Sequence, residues 1–524
     1  MNKKRVLLVC KESYAYPMNF LCDKYLNIGY DVDALFIHSS ESVYEDESLT
    51  LFKARNKNCT IITIRSVVEE FIKNKSKCES LIDLEYLGYI ENKYCKDLPI
   101  SLLQISSQLF TTQYHYRFFF EQWAESEKLY YIQLLFKFII NLIESGRYEK
   151  ICDFDIAEIG RSILLQVSKV HKVPYASLEF SRFNDIVLLT FNLGRVTDNY
   201  IVEKYNQLLS LPVEKKYLKK ANEFLEKNVI QSPDYKNNNT SKNKSKPLLH
   251  DFKSMLKHVK FVITRLPSWF KFKRSKLLAN PFKSAFFFML WFIRERYLLS
   301  KYNTLFSTPI DSDKYIYFPL HLIPESTTLN KSPFYPNELS VIQQLSKVLP
   351  VGWKLYIKEH GAMIGERPIS FYKEIIKCTN VKLVRLDYYN DPKPWIYKSK
   401  GVVTLSGTTS FEALMLDKPT AIYGNVPFDV VPQVKKITSN SSLLDFICSC
   451  ENFDVSTKEH DVQRAVYIKT IESLGIRFPI LKVLNDCKKA IQSGGELDSE
   501  SAALIDNLFE LYQTELVTDT YARA

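Results

Sequence analysis

Residues 401–423, GVVTLSGTTSFEALMLDKPTAIY, hold the side chains best suited to chemistry. Val402, Val403, Thr404 and Leu405 form an apolar run that predicts a buried strand. Ser406-Gly407-Thr408-Thr409 follows as a small-residue turn, and Phe411-Glu412-Ala413-Leu414-Met415-Leu416 has helical composition. Pro419 closes the helix and Ala421-Ile422-Tyr423 opens the next strand. A helix N-terminus offers free backbone N–H groups and the positive end of the helix dipole, a ready site for a phosphate. Gly407 lets the backbone approach a ligand with no side chain in the way. Ser and Thr cap helices whether or not anything binds, so this loop alone does not decide the matter. Two further polar clusters follow predicted strands. Tyr315-Ile316-Tyr317-Phe318 leads into PLHLIPESTT, which carries His321 and Glu325. Trp353-Lys354-Leu355-Tyr356-Ile357 leads into Lys358-Glu359-His360-Gly361. Ligands of parallel sheets bind beyond the carboxyl ends of the strands. Three such strands bring two histidines, a lysine and several hydroxyls to one edge.

The elements that must position these residues need room, and 524 residues suffice for two or three domains. An apolar content of 46% makes the chain globular rather than disordered. A net charge of +11 points to an acidic partner. Ten cysteines lie scattered without C-x-x-C pairs, and Cys448-Ser449-Cys450 is too tight for an ordinary zinc site. That usage suits a reducing compartment. The basic start, Met1-Asn2-Lys3-Lys4-Arg5, imitates a signal peptide, but the apolar run behind it ends at Cys10. No stretch reaches the length of a membrane-spanning helix. The expected location is the cytoplasm or the cytoplasmic face of a membrane.

Along the chain, residues 5–10 predict a strand, 17–28 a helix closed by Gly29, and 32–37 a second strand. This is a Rossmann-like opening without a G-x-G-x-x-G loop. Residues 60–64 predict another strand and 105–145 a long aromatic helical region. Residues 150–155 read as a strand end, 156–170 as a helix, and 173–179 as a further strand. The acids Asp153, Asp155 and Glu158 therefore fall at a strand end, with Arg161 close behind and Arg182 after the next strand; Lys11, Glu12 and Ser13 follow the first strand. Residues 235–246, YKNNNTSKNKSK, read as a polar linker. In 253–301 basic residues greatly outnumber acidic ones and alternate with Trp269, Phe270, Phe272, Phe282, Phe286, Phe287, Phe288, Trp291 and Phe292. Such a segment suits an anionic membrane surface, or a helical connector packed on the domains. No nucleic-acid motif accompanies it. The implied plan is α/β: a Rossmann-like domain over 1–225, the linker and basic aromatic segment over 226–310, a second Rossmann-like domain over 311–455, and helices over 456–524.

Three segments, FPLHLIPESTT, LYIKEH and VVTLSGTTSFEALMLDKP, together resemble the capsule polysaccharide and surface carbohydrate biosynthesis proteins. These are GT-B glycosyltransferases similar in pattern to enzymes that use CMP-activated Kdo or sialic acid. The resemblance covers residues 315–423 well and the N-terminal half loosely. It implies two Rossmann-like domains around a cleft, a nucleotide-sugar donor held by the second and an acceptor by the first. It implies that His360 contacts the donor phosphate, with Gly361 where the family has proline. Ser406, Thr408 and Thr409 match the hydroxyl loop on that phosphate; apart from the resemblance, the charge of Lys358 suits the same leaving phosphate. Glu412 matches a carboxylate placed on ribose or sugar hydroxyls, and His321 and Glu325 match the loop that faces the nucleotide.

Sugar transfer needs a stabilised leaving phosphate and either a base or a nucleophilic carboxylate. Asp155 and Glu158 are the candidates for the latter, with the choice between the two roles open. Arg161 and Arg182 are candidates to grip an acceptor phosphate or a sugar carboxylate. No D-x-D motif stands beside the C-terminal loops, so the expected site uses no metal and no cofactor beyond the donor itself. The expected function is a glycosyltransferase of bacterial surface polysaccharide, acting on a lipid-linked or glycan acceptor at the inner-membrane surface. The alternatives are a CDP-polyol phosphotransferase of the teichoic-acid type, a nucleotide-sugar epimerase, and a non-catalytic scaffold of the assembly complex.

Overall fold

The computed structural model describes residues 3–38, 46–110, 122–227, 280–323, 325–385, 392–454 and 457–517, with isolated positions between 259 and 277. The polar stretch 235–246, the start of the basic segment at 253–258, Phe272 and Pro324 lie outside the described residues.

Strands that must be buried on both faces read as continuous apolar runs. The first, β1 (Arg5–Cys10, RVLLVC), is such a run, and five of its six residues are buried. It lies inside a seven-stranded sheet with β2 (Asp31–Phe36), β3 (Thr60–Thr63), β4 (Lys150–Cys152), β5 (Tyr175–Phe180), β6 (Ile186–Thr190) and β13 (Ile476–Arg477), in the order β13-β6-β5-β4-β1-β2-β3. Pairings from β3 to β5 are parallel, and β6 and β13 are added antiparallel. The second sheet is wholly parallel: β7 (Lys314–Pro319), β8 (Trp353–Lys358), β9 (Val381–Leu383), β10 (Gly401–Thr404), β11 (Thr420–Ile422) and β12 (Val434–Lys436), ordered β12-β11-β10-β7-β8-β9. The protein thus has two Rossmann-like α/β domains. In each sheet the first strand is flanked by strands reached in opposite directions. The two topological switch points, between β1 and β4 and between β7 and β10, are where such folds open a crevice.

Several details depart from the sequence reading. Among the described residues of the region expected to be helical over 105–145, the long helix is Glu125–Gly146. The helix expected from residue 156 opens at Ile159, because Glu158 holds φ at +102° and cannot be helical. Strand β6 had no expectation; it follows a turn in which Arg182, Asn184 and Asp185 all have positive φ. The C-terminal helices do not stand apart. Strand β13 joins the first sheet, and helices Ile480–Ser493 and Ser499–Gln513 pack on Ala15–Asn27 through a shared core that includes Leu21, Tyr25, Val483, Leu508 and Tyr512. Lys150 Nζ donates to Tyr512 O at 3.1 Å, so helix Ser499–Gln513 closes over β4.

The domains meet through buried polar contacts. Lys331 Nζ, at the end of helix Ser326–Lys331, lies 2.6 Å from Glu179 Oε1 on β5, and both side chains are enclosed. Asn330 donates to Leu193 O at 2.8 Å and Asn425 to Gly194 O at 3.2 Å. Gly194 sits at φ +65°, and a Cβ there would fall 2.3 Å from Glu179 Oε2. Replacing Lys331 by Met strands a buried carboxylate and is expected to cost about 3–5 kcal/mol in urea unfolding. The added change Glu179→Leu should restore most of that loss.

Candidate functional site

The carboxyl edge of the second sheet is built on one buried cation. Arg367 has no exposed surface and donates to both Glu338 and Glu359. Its Nη2 also donates to His321 O at 2.7 Å. Tyr372 OH completes Glu359 at 2.7 Å, and the His360 N–H donates back to Glu359 Oε1 at 2.6 Å. Glu338 in turn accepts from the His321 N–H at 2.5 Å and pairs with His321 Nδ1 at 3.0 Å. Burial opposes ionisation of Glu338, but Arg367 and the His321 hydrogen bonds outweigh it and hold its pKa below the ordinary value. Burial wins at Glu359 and pushes its pKa up, despite Arg367.

This network places the ring proton of each histidine. His321 Nε2 accepts from the Leu405 N–H at 3.2 Å, so the ring proton is on Nδ1, facing Glu338. Both ring nitrogens are therefore committed within the protein. The sequence reading gave His321 to the nucleotide; the structure instead makes it the tie between the ends of β7 and β10. Gly407 rests on it: a Cβ there would lie 3.1 Å from His321 Nε2. His360 differs. Its Nδ1 accepts from the Ala362 N–H at 3.2 Å, which leaves the proton on Nε2 as a hydrogen-bond donor. Burial, reinforced by Arg367, pushes its pKa down to about 4, so the ring is neutral near pH 7.

Lys358 ends β8 two residues before His360 and is close enough to weigh on its titration. Ser406 and Gly407 follow β10, and Thr408 and Thr409 open helix Thr408–Met415. Ser410 Oγ donates to Gly407 O at 2.6 Å and fixes that turn. Glu412 lies in the next turn, buried beside Tyr317. The expected donor-side residues Lys358, His360, Ser406, Gly407, Thr408 and Thr409 thus gather around the β7/β10 switch point and its β8 neighbour. Glu325 stands apart from them. It precedes helix Ser326–Lys331, accepts from Thr328 Oγ1 at 3.2 Å and acts on Lys331. Arg182 also acts on Lys331, so it belongs to the domain seam rather than to the acids of the first domain.

At the other switch point Lys11, just past β1, lies 3.6 Å from both Asp155 Oδ2 and Glu158 Oε1. Burial disfavours both carboxylates, but Lys11 and Arg161 together, joined by the Ile156 N–H at Asp155 and by His38 at Glu158, outweigh it and both pKa values fall below normal. Both acids are ionised at neutral pH, fit for a base or a nucleophile and unfit for a proton donor. Glu158 also keeps its strained φ of +102°, a conformation that costs a non-glycine residue about 1–3 kcal/mol and concentrates at functional sites. A cavity of about 100 Å³ opens beside it, lined by Ile37, His38, Gln108, Tyr131 and Leu277 among others.

One expectation is corrected here. Arg161 is fully enclosed, with Nε and Nη2 on Asp153 at 2.7 and 3.1 Å and Nη1 on Ala157 O at 3.3 Å. It braces the turn after β4 and cannot grip a substrate. Asp153 is equally committed, accepting from Tyr175 OH at 2.5 Å as well. The sequence reading missed Arg195. Its Nη2 donates to Ser162 Oγ at 2.8 Å, one turn along the helix from Glu158, while Nε and Nη1 are buried without a partner. Burial lowers its pKa to about 10. Nothing in its local sequence marked it, since the loop after an unforeseen strand carries it. Among the described residues no group of three or more His, Cys, Asp or Glu side chains is arranged to hold a metal ion.

No protein-family model and no curated protein matches the sequence. Among solved structures, the chain is similar to the β-Kdo 2,7 transferase of Thermosulfurimonas dismutans KpsC, at 12% identity over 63% of this chain and 79% of that one, TM-score 0.28. It is also similar to a UDP-GlcNAc 2-epimerase from Neisseria meningitidis bound to UDP-GlcNAc, at 12% identity over 90% and 100%, TM-score 0.22. The calicheamicin glycosyltransferase CalG4 shows 9% identity over 94% and 99%, TM-score 0.25. At these values the likenesses assign neither a family nor an activity.

The neutral state of His360 has a consequence for stability. Between about pH 6.5 and about pH 4 the unfolded chain holds a proton on this histidine that the folded protein does not. Stability should therefore fall as pH is lowered through that window. His360→Asn, which keeps an acceptor for the Ala362 N–H but does not titrate, should flatten the slope in urea unfolding measured at several pH values.

Proposed function

We propose that the protein is a glycosyltransferase of bacterial surface polysaccharide, taking its sugar from a nucleotide donor of the CMP-Kdo or CMP-sialic acid kind. The observation that carries this reading is the pairing of the two switch points. One presents a hydroxyl-rich helix N-terminus beside the neutral His360, and the other presents two ionised carboxylates around Lys11. The first is suited to a leaving phosphate, the second to an attacking hydroxyl or to the sugar itself.

In this reading the donor phosphate lies on the N–H groups and hydroxyls of residues 406–409. His360 Nε2–H and Lys358 meet the negative charge that grows as the sugar–phosphate bond breaks. Donors fixed in advance by the Arg367 network need no reorganisation at that moment. The electron pair of the breaking bond stays on the phosphate. The acceptor oxygen bonds to the anomeric carbon and its proton passes to Asp155 or Glu158; alternatively one of these carboxylates first takes the sugar covalently. Arg195, beside the helix that Glu158 precedes, takes the role first given to Arg161 and holds an oxyanion of the sugar or acceptor. The acceptor is lipid-linked or a glycan, presented at the cytoplasmic face of the inner membrane.

Release of CMP from a CMP-sugar in the presence of acceptor tests this. Glu158→Gln and Asp155→Asn should each lower kcat by a factor of about 10² to 10⁴, as loss of a positioned carboxylate does. Arg195→Met should lower kcat/KM by about 10- to 100-fold, the worth of a charged hydrogen bond. Turnover unaffected by all three changes would overturn the assignment.

A further inference from the structure

Residues 253–301 contain twelve Lys and Arg against the single acid Glu295, a net +11 that equals the formal charge of the whole chain. The rest of the protein is thus neutral in sum, and its excess charge is one local feature. Helix Pro281–Ser300 lies at the end of this segment and has two apolar faces. The inner one is packed: Phe287 and Leu298 are buried, and Trp291 Nε1 donates to Ile364 O at 2.9 Å. A Cβ on Gly365 would come within 3.0 Å of that indole, so the contact is close.

The outer face is open to solvent. Phe282 (56% exposed), Phe286 (50%), Met289 (47%), Ile293 (53%) and Tyr297 (44%) recur at steps of three and four, which places them in one stripe along the helix. Phe270, 51% exposed, extends the stripe near Phe282 through Trp269, whose ring lies 5.1 Å from that of Phe270 and 5.8 Å from that of Phe282. Lys283, Arg296 and Lys301 are exposed on the same helix and just beyond it. Single apolar residues on a surface are ordinary; a continuous aromatic stripe rimmed by cations is not. Among the described residues no helix is long and apolar enough to cross a membrane. A helix of this kind lies in the plane of a bilayer surface instead.

We propose that this outer face docks the protein on an anionic lipid bilayer. The five stripe residues enter the boundary between headgroups and acyl chains, and Lys283, Arg296 and Lys301 meet the lipid phosphates. The charge balance selects this occupant over a second copy of the chain, because two such cationic faces repel one another. The segment also touches both halves of the candidate site. Trp291 holds Ile364, just beyond His360, while Leu277 lines the cavity beside Glu158. Docking here brings the cleft to the membrane surface, where a lipid-linked acceptor is delivered. That last step rests on the glycosyl-transfer reading; the docking itself does not.

Flotation of the full-length protein with vesicles tests it. The wild type should float with phosphatidylcholine vesicles containing about one third phosphatidylglycerol, and far less with phosphatidylcholine alone. Replacing Phe282, Phe286 and Ile293 together by Ser should weaken partition by about tenfold or more while leaving the far-ultraviolet dichroism unchanged. Lys283→Glu with Lys301→Glu should weaken it too and reduce its sensitivity to salt. A wild type that stays unbound, or a triple-serine variant that floats as well as the wild type, overturns the proposal. So does light scattering that finds a wild-type dimer dissociated by the serine changes, which would give the face to a second copy. Intact vesicle binding without sugar transfer would remove the glycosyl-transfer reading and leave the docking face standing.

Discussion

A guanidinium with no access to water must be neutralised where it sits, and at Arg367 that requirement organises the second domain. Glu338 and Glu359 come from different elements, one opening helix Glu338–Val348 and one following β8. By pairing with both, Arg367 locks the ends of β7 and β8 into one geometry. His321 carries the constraint on to β10 by accepting from the Leu405 N–H, and Gly407 packs on its ring. The loop of residues 406–409 is therefore held in place from behind. The side chains that do the holding are spent within the protein; Lys358, His360 and the hydroxyls of residues 406–409 stand at the carboxyl edge of the sheet.

The first domain solves the same problem differently. Arg161 is spent on Asp153, and this pair fixes the turn after β4. The turn then forces Glu158 to φ +102° and brings it with Asp155 to Lys11. Local strain is tolerated because the surroundings over-determine it: the Arg161 brace beneath, β1 alongside and the C-terminal helices closing over β4 through Tyr512. The Lys331–Glu179 pair and the loop at Gly194 then set one domain on the other.

Much of this was legible in the sequence. Apolar runs announced β1, β7, β8 and β10, and hydroxyl-rich or charged residues just past them marked the candidate site, because a parallel sheet leaves its carboxyl ends as the place for chemistry. Strands β9 and β12 escaped because lysines break their apolar pattern, Lys382 in the first and Lys435 and Lys436 in the second. Strand β6 was missed because it pairs antiparallel after a tight turn, and Arg195 was missed with it. The division of labour between the histidines could not be read either. His321 and His360 look equivalent in sequence, and only the partners of each ring nitrogen separate a structural tie from a hydrogen-bond donor. Arg161 misled for a related reason: a charge eight residues from an aspartate reads the same whether it faces solvent or a buried partner. The basic aromatic segment was visible as composition, but its two apolar faces emerge only when the helix is placed against Ile364.

The central claim is that residues 406–409 and His360 hold the phosphate of a nucleotide. Calorimetric titration of the protein with CMP, CDP, UDP and GDP, repeated on His360→Ala, tests it most directly. The account predicts saturable binding of CMP that the substitution abolishes. No heat with any nucleotide, or CMP binding that survives the loss of His360, would contradict it.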